Sequence, residues 1–257
     1  MYPILLKIGG FHLRAYGTLI AIALLTGTWL AGREAARKGI PPERVQDFVV
    51  WATLFGLLGA RLYYLAFAVP RIFLEDPLGV LAIWRGGLAI HGALIAGAAS
   101  AIWYVRRHHL SFWRLADTLA PSLILGQAIG RFACFLNGDA YGIPATVPWA
   151  VTFTNPQAMA PLNVPLHPTQ LYEMSLNLLL FGLLWWWRTR VRFDGQLVLF
   201  YAGGYGIIRF IVEKFRGDQL QFGGGISAAQ TISLVVLIVA GALIALRTGP
   251  TATPSKG

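Results

Sequence analysis

The sequence predicts an all-α polytopic membrane protein in which seven transmembrane helices form one domain, 1–257. Of its 257 residues, 56% are hydrophobic and only 12% are charged, and the mean hydropathy is +0.60. The apolar residues also fall into runs close to the roughly 20 residues that a helix needs to cross a hydrocarbon core of ~30 Å. This composition and patterning are typical of membrane proteins and not of soluble globular domains.

Seven apolar runs follow one another along the chain. Their approximate bounds are 16–31, 48–68, 88–105, 115–136, 168–187, 195–212 and 226–246. We expect the first run to remain as a helix, because the positive charges Arg33, Arg37 and Lys38 follow it, whereas in a cleaved signal peptide they precede it.

The distribution of Lys and Arg predicts that the N-terminus lies outside and the C-terminus in the cytoplasm. With this orientation the inner regions hold 12 basic residues and the outer regions hold 8, and basic residues are disfavoured on the translocated side.

The long connection 137–167 between the fourth and fifth helices then forms a small, irregular periplasmic head. Its prolines limit regular structure to one short strand within 147–153. The end of the chain, 248–257, predicts a disordered tail.

Composition also limits the chemistry. The formal net charge of +10 is accounted for by basic cytoplasmic loops, so we expect no nucleic-acid partner. Cys134 is the only cysteine, which excludes an intrachain disulfide and a cysteine-rich metal site. No zinc HExxH motif, GxSxG elbow or P-loop occurs, so we expect neither a metal nor a cofactor.

The stretch from Gly130 to Gly142 places charge at the exit of the fourth apolar run. Arg131 stands within the run and Asp139 just after it. A charged side chain within a membrane helix is costly, so it usually faces a polar cavity or a partner. Cys134 lies between them, and we interpret it as a small residue that packs between helices.

Other polar residues fall near the outer ends of the predicted helices. His91 begins the third helix and can accept a proton near neutral pH, although an isolated histidine in a helix is equally explained by a hydrogen bond to a neighbouring carbonyl. Arg61 lies deeper, in the second helix. The spacing of Arg209 and Glu213 permits an ion pair on one face of the sixth helix, which a purely structural role would also explain. Together, the charged residues and the histidine predict one outer-leaflet pocket, formed by Arg61, His91, Arg131, Asp139, Glu173, Arg209 and Glu213.

A cluster of guanidinium groups at headgroup level suits a phosphate, which arginine binds in bidentate fashion. Anionic phospholipid is the phosphate compound present at that depth. From the residues alone, the pocket indicates either an enzyme that acts on lipid headgroups or a transporter of anionic lipid, and both interpretations stay open.

The ordered motifs resemble those of the prolipoprotein diacylglyceryl transferase family along essentially the whole chain. They are 14–17 (RAYG), 59–61 (GAR), 86–92 (GGLAIHG), 130–142, 167–173 (HPTQLYE) and 205–216, which contains Arg209 and Glu213. The resemblance implies transfer of the diacylglyceryl group of phosphatidylglycerol to the lipobox cysteine thiol of a preprolipoprotein signal peptide, which forms a thioether and releases glycerol phosphate. It also implies a location in the bacterial cytoplasmic (inner) membrane, with the active site near the outer leaflet.

The resemblance assigns catalytic roles to His91, Arg131, Asp139 and Arg209. We expect His91 to assist deprotonation of the thiol and the two arginines to bind the phosphate. Substrate binding is expected from Tyr16, Arg61, Asn137, Gly142, Gln170, Glu173, Tyr205 and Glu213.

The chain departs from the family within its signature. The usual pattern G-R-x-G-N-F-x-N-x-E has Ala133, Cys134 and Asp139 in place of Gly, Asn and Glu here. Two alternatives to the enzyme remain: a transporter of anionic lipid or another solute, and, because of the altered signature, a relative that binds lipoprotein signal peptides without catalysis. A transporter of that kind would have broken helices at mid-membrane and inverted repeats, and the sequence has neither signal.

Overall fold

The structure, a computed structural model, describes residues 4–8, 11–70, 72, 76, 79–80, 82, 87–219 and 225–248. Seven helices occur within these residues: α1 (Ala15–Arg37), α2 (Pro42–Ala68), α3 (Ile90–Arg107), α4 (Phe112–Asn137), α5 (Thr169–Trp187), α6 (Gln196–Glu213) and α7 (Ala228–Thr248). Each corresponds to one predicted apolar run, so the number and order of helices are confirmed. Gly86 of the resemblance motifs, and 249–257 of the predicted tail, lie outside the described residues; Thr248 ends α7.

Five of the helices, α1, α2, α4, α6 and α7, are long and apolar enough to cross a membrane. The chain is therefore a multi-pass membrane protein. Helices α3 and α5 do not meet the same combined criterion of length, hydropathy and charge. Helix α5 carries the buried polar side chains of Thr169, Gln170, Glu173 and Asn177, and seven spans remain a prediction.

Two short hairpins accompany the helices. Strands β1 (Ile4–Ile8) and β2 (Phe11–Arg14) pair antiparallel directly before α1. The sequence analysis did not predict this hairpin. In the connection between α4 and α5, β3 (Val151–Thr152) pairs antiparallel with β4 (Pro165–Leu166). The single strand predicted within 147–153 is therefore β3, and its partner β4 begins at Pro165, 14 residues further along the chain than Val151.

The chain divides into two compact units, 1–30 with 116–257 and 31–115. In the first unit, α4, α5 and α6 share an apolar core that includes Ile124, Leu184 and Leu197. Asp117 is fully buried and caps α6: its carboxylate accepts hydrogen bonds from the backbone N–H groups of Gly195 (2.9 Å) and Val198 (2.8 Å). These contacts fix the residue at which α6 begins, and they therefore fix the position of its polar face along the helix axis.

The second unit contains the packed helices α2 and α3. They approach most closely at Gly59 and Gly92, where a Cβ on Gly59 would lie 2.6 Å from the Gly92 carbonyl oxygen. Small residues at a helix crossing allow this backbone contact. The crossing fixes the position of His91, the neighbour of Gly92.

Candidate active site

Glu173 is the centre of a buried polar cluster in the first unit. It lies on α5 and is 1% exposed. One carboxylate oxygen is 3.0 Å from Nε of Arg131 on α4, and the other is 3.6 Å from Nη1 of Arg209 on α6. The hydroxyl of Tyr205 donates a 3.0 Å hydrogen bond to the same carboxylate. One glutamate therefore holds two arginines from different helices side by side.

Glu213 is the second carboxylate of the cluster. Its Oε2 is 2.6 Å from Nη2 of Arg209, so the ion pair that the four-residue spacing permits is present. Ser227, just before α7, donates a 2.8 Å hydrogen bond to Oε1 of Glu213. Two carboxylates therefore orient Arg209. One of them, that of Glu213, is itself held by the residue directly before α7.

The cluster is electrically balanced, with two guanidinium groups facing two carboxylates. The arginine side chains are partly accessible, at 21% for Arg131 and 17% for Arg209, whereas those of Glu173 and Glu213 are 2% and 3% exposed. Among the described residues, Nη1 of Arg209 is buried and has no hydrogen-bond partner. This N–H group can donate to an oxygen of an anionic ligand, because a guanidinium binds anions with short, charge-assisted hydrogen bonds.

The segment that follows α4 is tied to the start of α5. Gln170, 1% exposed, donates a 2.6 Å hydrogen bond to the backbone oxygen of Asp139, and Thr169 donates one of 2.8 Å to that of Ala140. Asn137 donates a 2.9 Å hydrogen bond to the Asp139 carboxylate. Asn137 and Gln170 therefore position Asp139, whose other carboxylate oxygen is buried and has no partner among the described residues.

Tyr16 and Cys134 border the same cluster. The hydroxyl of Tyr16 lies within electrostatic reach of Cys134, Asp139 and Arg131, although 42% of the residue is exposed. Cys134 interacts electrostatically with both Asp139 and Arg131. The helix-packing interpretation of Cys134 is therefore incomplete, because its thiol lies among the charged groups of the candidate site.

Gly142 lies where three backbone segments meet. Its neighbour Ile143 donates a 2.9 Å hydrogen bond to the carbonyl of Phe215 and accepts one of 3.0 Å from the backbone of His167. A Cβ on Gly142 would collide with the carbonyl of His167 and lie 2.9 Å from that of Phe215. These contacts explain why glycine is required here and connect the segment after α4 to both α5 and the end of α6.

Arg61 and His91 belong to the second unit. Arg61 is 4% exposed, and its guanidinium donates hydrogen bonds to the carbonyls of Gly79 (2.9 Å), Val80 (3.1 Å) and Gly87 (3.3 Å). His91 is exposed, and its ring stacks on Tyr63 with the centroids 5.8 Å apart. Arg61 is thus engaged with the backbone before α3, whereas the His91 ring is accessible.

Sequence reasoning missed two features of the site. The bridging position of Glu173 could not be read from its spacing to Gln170, because the bridge is formed with residues of α4 and α6. Ser227 had a signal, since a serine directly before a helix is a common N-cap.

Within the described residues, no group of three or more His, Cys, Asp or Glu side chains could hold a metal ion.

Most of the chain is similar in sequence to known proteins. The model of the prolipoprotein diacylglyceryl transferase family matches residues 3–246. A protein of Synechocystis is 40% identical over 247 residues, covering 92% of this chain and 86% of its own length. Proteins of Thermosynechococcus vestitus and Geobacillus kaustophilus are 41% and 38% identical over 237 and 250 residues, covering 90% and 95% of this chain and 87% and 92% of their own lengths. All three are named phosphatidylglycerol–prolipoprotein diacylglyceryl transferase.

Proposed function

Because the chain belongs to the prolipoprotein diacylglyceryl transferase family, we propose that it transfers the diacylglyceryl group of phosphatidylglycerol to the cysteine thiol of a preprolipoprotein. The acceptor is the lipobox cysteine of the signal peptide. The observation that carries this proposal is the pair of arginines, Arg131 and Arg209, bridged by Glu173.

The arginine pair suits the phosphodiester of the lipid. Each guanidinium keeps N–H groups beyond those engaged by carboxylates, and Nη1 of Arg209 lacks a hydrogen bond among the described residues. A phosphodiester has two anionic oxygens in the geometry that arginine binds. Because Glu173 and Glu213 fix the arginines in advance, the site does not need to reorganise when the phosphate binds.

The reaction is a substitution at carbon. The thiolate sulfur of the acceptor attacks the glyceryl carbon that is bonded to the phosphate oxygen. The carbon–sulfur bond forms as the carbon–oxygen bond breaks, and glycerol phosphate leaves with the electron pair. The leaving phosphate gains negative charge, which Arg131 and Arg209 stabilise.

The acceptor thiol must lose its proton before it attacks, because the thiolate is the nucleophile. We assign this proton to His91, because histidine is the side chain that most often serves as a general base. Its exposed ring supports that role. Asp139 and Tyr16 border Arg131 and complete the polar wall against which the reacting groups are held.

The proposed setting is the bacterial cytoplasmic membrane, with the N-terminus and the head 137–167 outside and the reaction near the outer leaflet. The excess of basic residues in the opposite loops supports this orientation.

The orientation is tested by labelling with a membrane-impermeant maleimide in a Cys134→Ala background. Trp149→Cys in the head should label in intact spheroplasts, and His109→Cys only after lysis; the reverse result rejects the orientation.

The function is tested by incubating the purified protein with phosphatidylglycerol and a lipobox peptide and measuring the peptide mass. The expected result is a gain of one diacylglyceryl group, absent from a peptide whose cysteine is replaced by serine. An unchanged peptide mass, together with movement of labelled lipid between the leaflets of reconstituted vesicles, would favour a transporter. An unchanged mass with retained peptide binding would favour a non-catalytic relative.

A further inference from the structure

A second polar layer lies one helical turn beneath the arginine cluster. It consists of Gln127, Asn177 and Tyr201, which stand four residues from Arg131 on α4, Glu173 on α5 and Tyr205 on α6, respectively. Four residues correspond to a rise of about 6 Å. On all three helices this step leads away from the helix end that carries the cluster, and therefore further into the bundle.

The layer is connected to the cluster above it. The side chain of Gln127 lies within electrostatic reach of the hydroxyl of Tyr201. The ring of Tyr201 stacks on that of Tyr205, with the centroids 6.4 Å apart and the planes 14° from parallel. Since Tyr205 donates to Glu173, the second layer adjoins the arginine cluster along this face.

The second layer has unused hydrogen-bonding capacity. Asn177 is 0% exposed, and neither its amide nitrogen nor its amide oxygen has a hydrogen-bond partner among the described residues. The amide oxygen of Gln127 also lacks one there. Buried amide groups without partners are costly, so native proteins retain few of them without a functional reason.

An apolar cavity of about 350 Å³ continues the same path. Its lining residues are Leu180, Leu183, Leu184, Trp186, Trp187 and Phe200. Leu180, which lines the cavity, is the next buried residue after Asn177 on α5, so the cavity begins about one helical turn from Asn177. Along α5 the environment therefore changes from charged at Glu173 to neutral and polar at Asn177, and then to apolar.

This order matches the structure of a diacyl phospholipid, in which the phosphate is followed by the two ester groups and then by the acyl chains. We propose that the second polar layer binds the ester groups of the lipid substrate, with Nδ2 of Asn177 donating a hydrogen bond to an ester carbonyl. The proposal rests on the proposed function, and it makes Asn177 a determinant of specificity for ester-linked over ether-linked lipids. The phosphate lies at the arginines and an acyl chain in the cavity.

The test compares diester phosphatidylglycerol with its diether analogue, which has the same headgroup and chains but no carbonyls. The wild-type protein should have a kcat/KM for the diester about tenfold above that for the diether, the effect of roughly one hydrogen bond. Asn177→Leu should lower the diester value to that of the diether and leave the diether value unchanged. Its Tm should not fall, because an apolar side chain of similar size replaces an unsatisfied amide.

Leu178→Ala, on the exposed side of the same turn, is the matched control and should keep the tenfold preference. If leucine is too large at 177, Asn177→Ala should give the same loss of preference. Equal use of the two lipids by the wild type, or an equal loss for both lipids in Asn177→Leu, would overturn the proposal while the transferase function stands. Failure of the wild type to transfer from either lipid would instead reject the function itself.

Discussion

Two arginines within the apolar helices of this protein have opposite surroundings. The guanidinium of Arg61, on α2, donates hydrogen bonds to three backbone carbonyls. Arg209, on α6, pairs with two carboxylates and retains a nitrogen that has no hydrogen-bond partner among the described residues. A buried arginine that donates its hydrogen bonds to backbone carbonyls holds a chain segment in place. An arginine that is oriented by carboxylates and keeps one N–H group without a hydrogen bond can bind an anionic ligand. Both look alike in the sequence.

The largest effect is expected at His91, whose imidazole is exposed in the second unit. His91→Gln should lower kcat by roughly 10²–10⁴-fold, the usual contribution of a general base, with little change in KM. The measurement is the initial rate of peptide modification across the pH range. A variant that keeps near-wild-type transfer and the same pH profile would remove His91 from the mechanism.

Arg209→Gln should reduce kcat by about 10²–10³-fold, because it removes a donor that stabilises the leaving phosphate. Lys214→Gln is the control, since it removes one positive charge next to the site from an exposed side chain. Rates are measured by peptide mass spectrometry at saturating lipid. If Lys214→Gln loses as much activity as Arg209→Gln, the effect is one of general charge and not of a specific phosphate contact.

Arg61→Gln should act on stability. Carbonyl hydrogen bonds to a charged group are lost, so the unfolding free energy should fall by about 2–4 kcal/mol, while the folded fraction keeps a kcat within a few-fold of wild type. Thermal unfolding in detergent, combined with activity per folded molecule, separates the two effects. An unchanged Tm with a large loss of kcat would return Arg61 to the substrate-binding set.

Gly142→Ala should reduce activity by about tenfold and destabilise the protein by about 1–3 kcal/mol, as overpacking of a close contact does. The added Cβ displaces the backbone of His167 or Phe215, and with it the segment that carries Asp139. Gly126→Ala on α4 is the matched control, because a Cβ there meets nothing within 4 Å. Equal behaviour of the two variants in activity and Tm assays would refute the close-contact explanation.

The smallest effect is expected from replacing Cys134. Cys134→Ala should change kcat by less than about threefold, because a neutral thiol contributes only a weak hydrogen bond. Reaction of Cys134 with N-ethylmaleimide should nevertheless inhibit the wild type, and phosphatidylglycerol should slow that inhibition, because the thiol lies beside Arg131. Labelling without inhibition would place Cys134 outside the substrate path.

Much of the fold could be predicted because membrane helices are specified locally, by length and hydropathy. The predicted run 48–68 corresponds to α2 at Pro42–Ala68, and 195–212 to α6 at Gln196–Glu213. The hairpin of β1 and β2 was missed, although Gly9 and Gly10 separate two apolar stretches, a common signal of a hairpin turn. Its strands are short and adjoin a much stronger helix signal.

The residues that form the candidate site could be predicted from the sequence, but not all of the contacts between them. The spacing of Arg209 and Glu213 correctly indicated an ion pair, because residues four apart share one helix face. The carboxylate that joins the two arginines is that of Glu173, which the sequence indicated only as a substrate-binding residue. That bridge depends on the packing of α4, α5 and α6, which no local pattern encodes.

By itself, the sequence determined the number and order of the helices, the family and the residue types of the site, because all of these follow from local hydropathy, spacing and motif. Only the tertiary structure decided what those residues do: that Glu173 joins Arg131 to Arg209, that Arg61 holds backbone carbonyls, that Gly142 is required by a close backbone contact, and that Asn177 lies without a partner beneath the cluster. The physical reason is that a charged or polar side chain in a membrane protein takes its role from the partner it meets, and those partners come from distant parts of the chain.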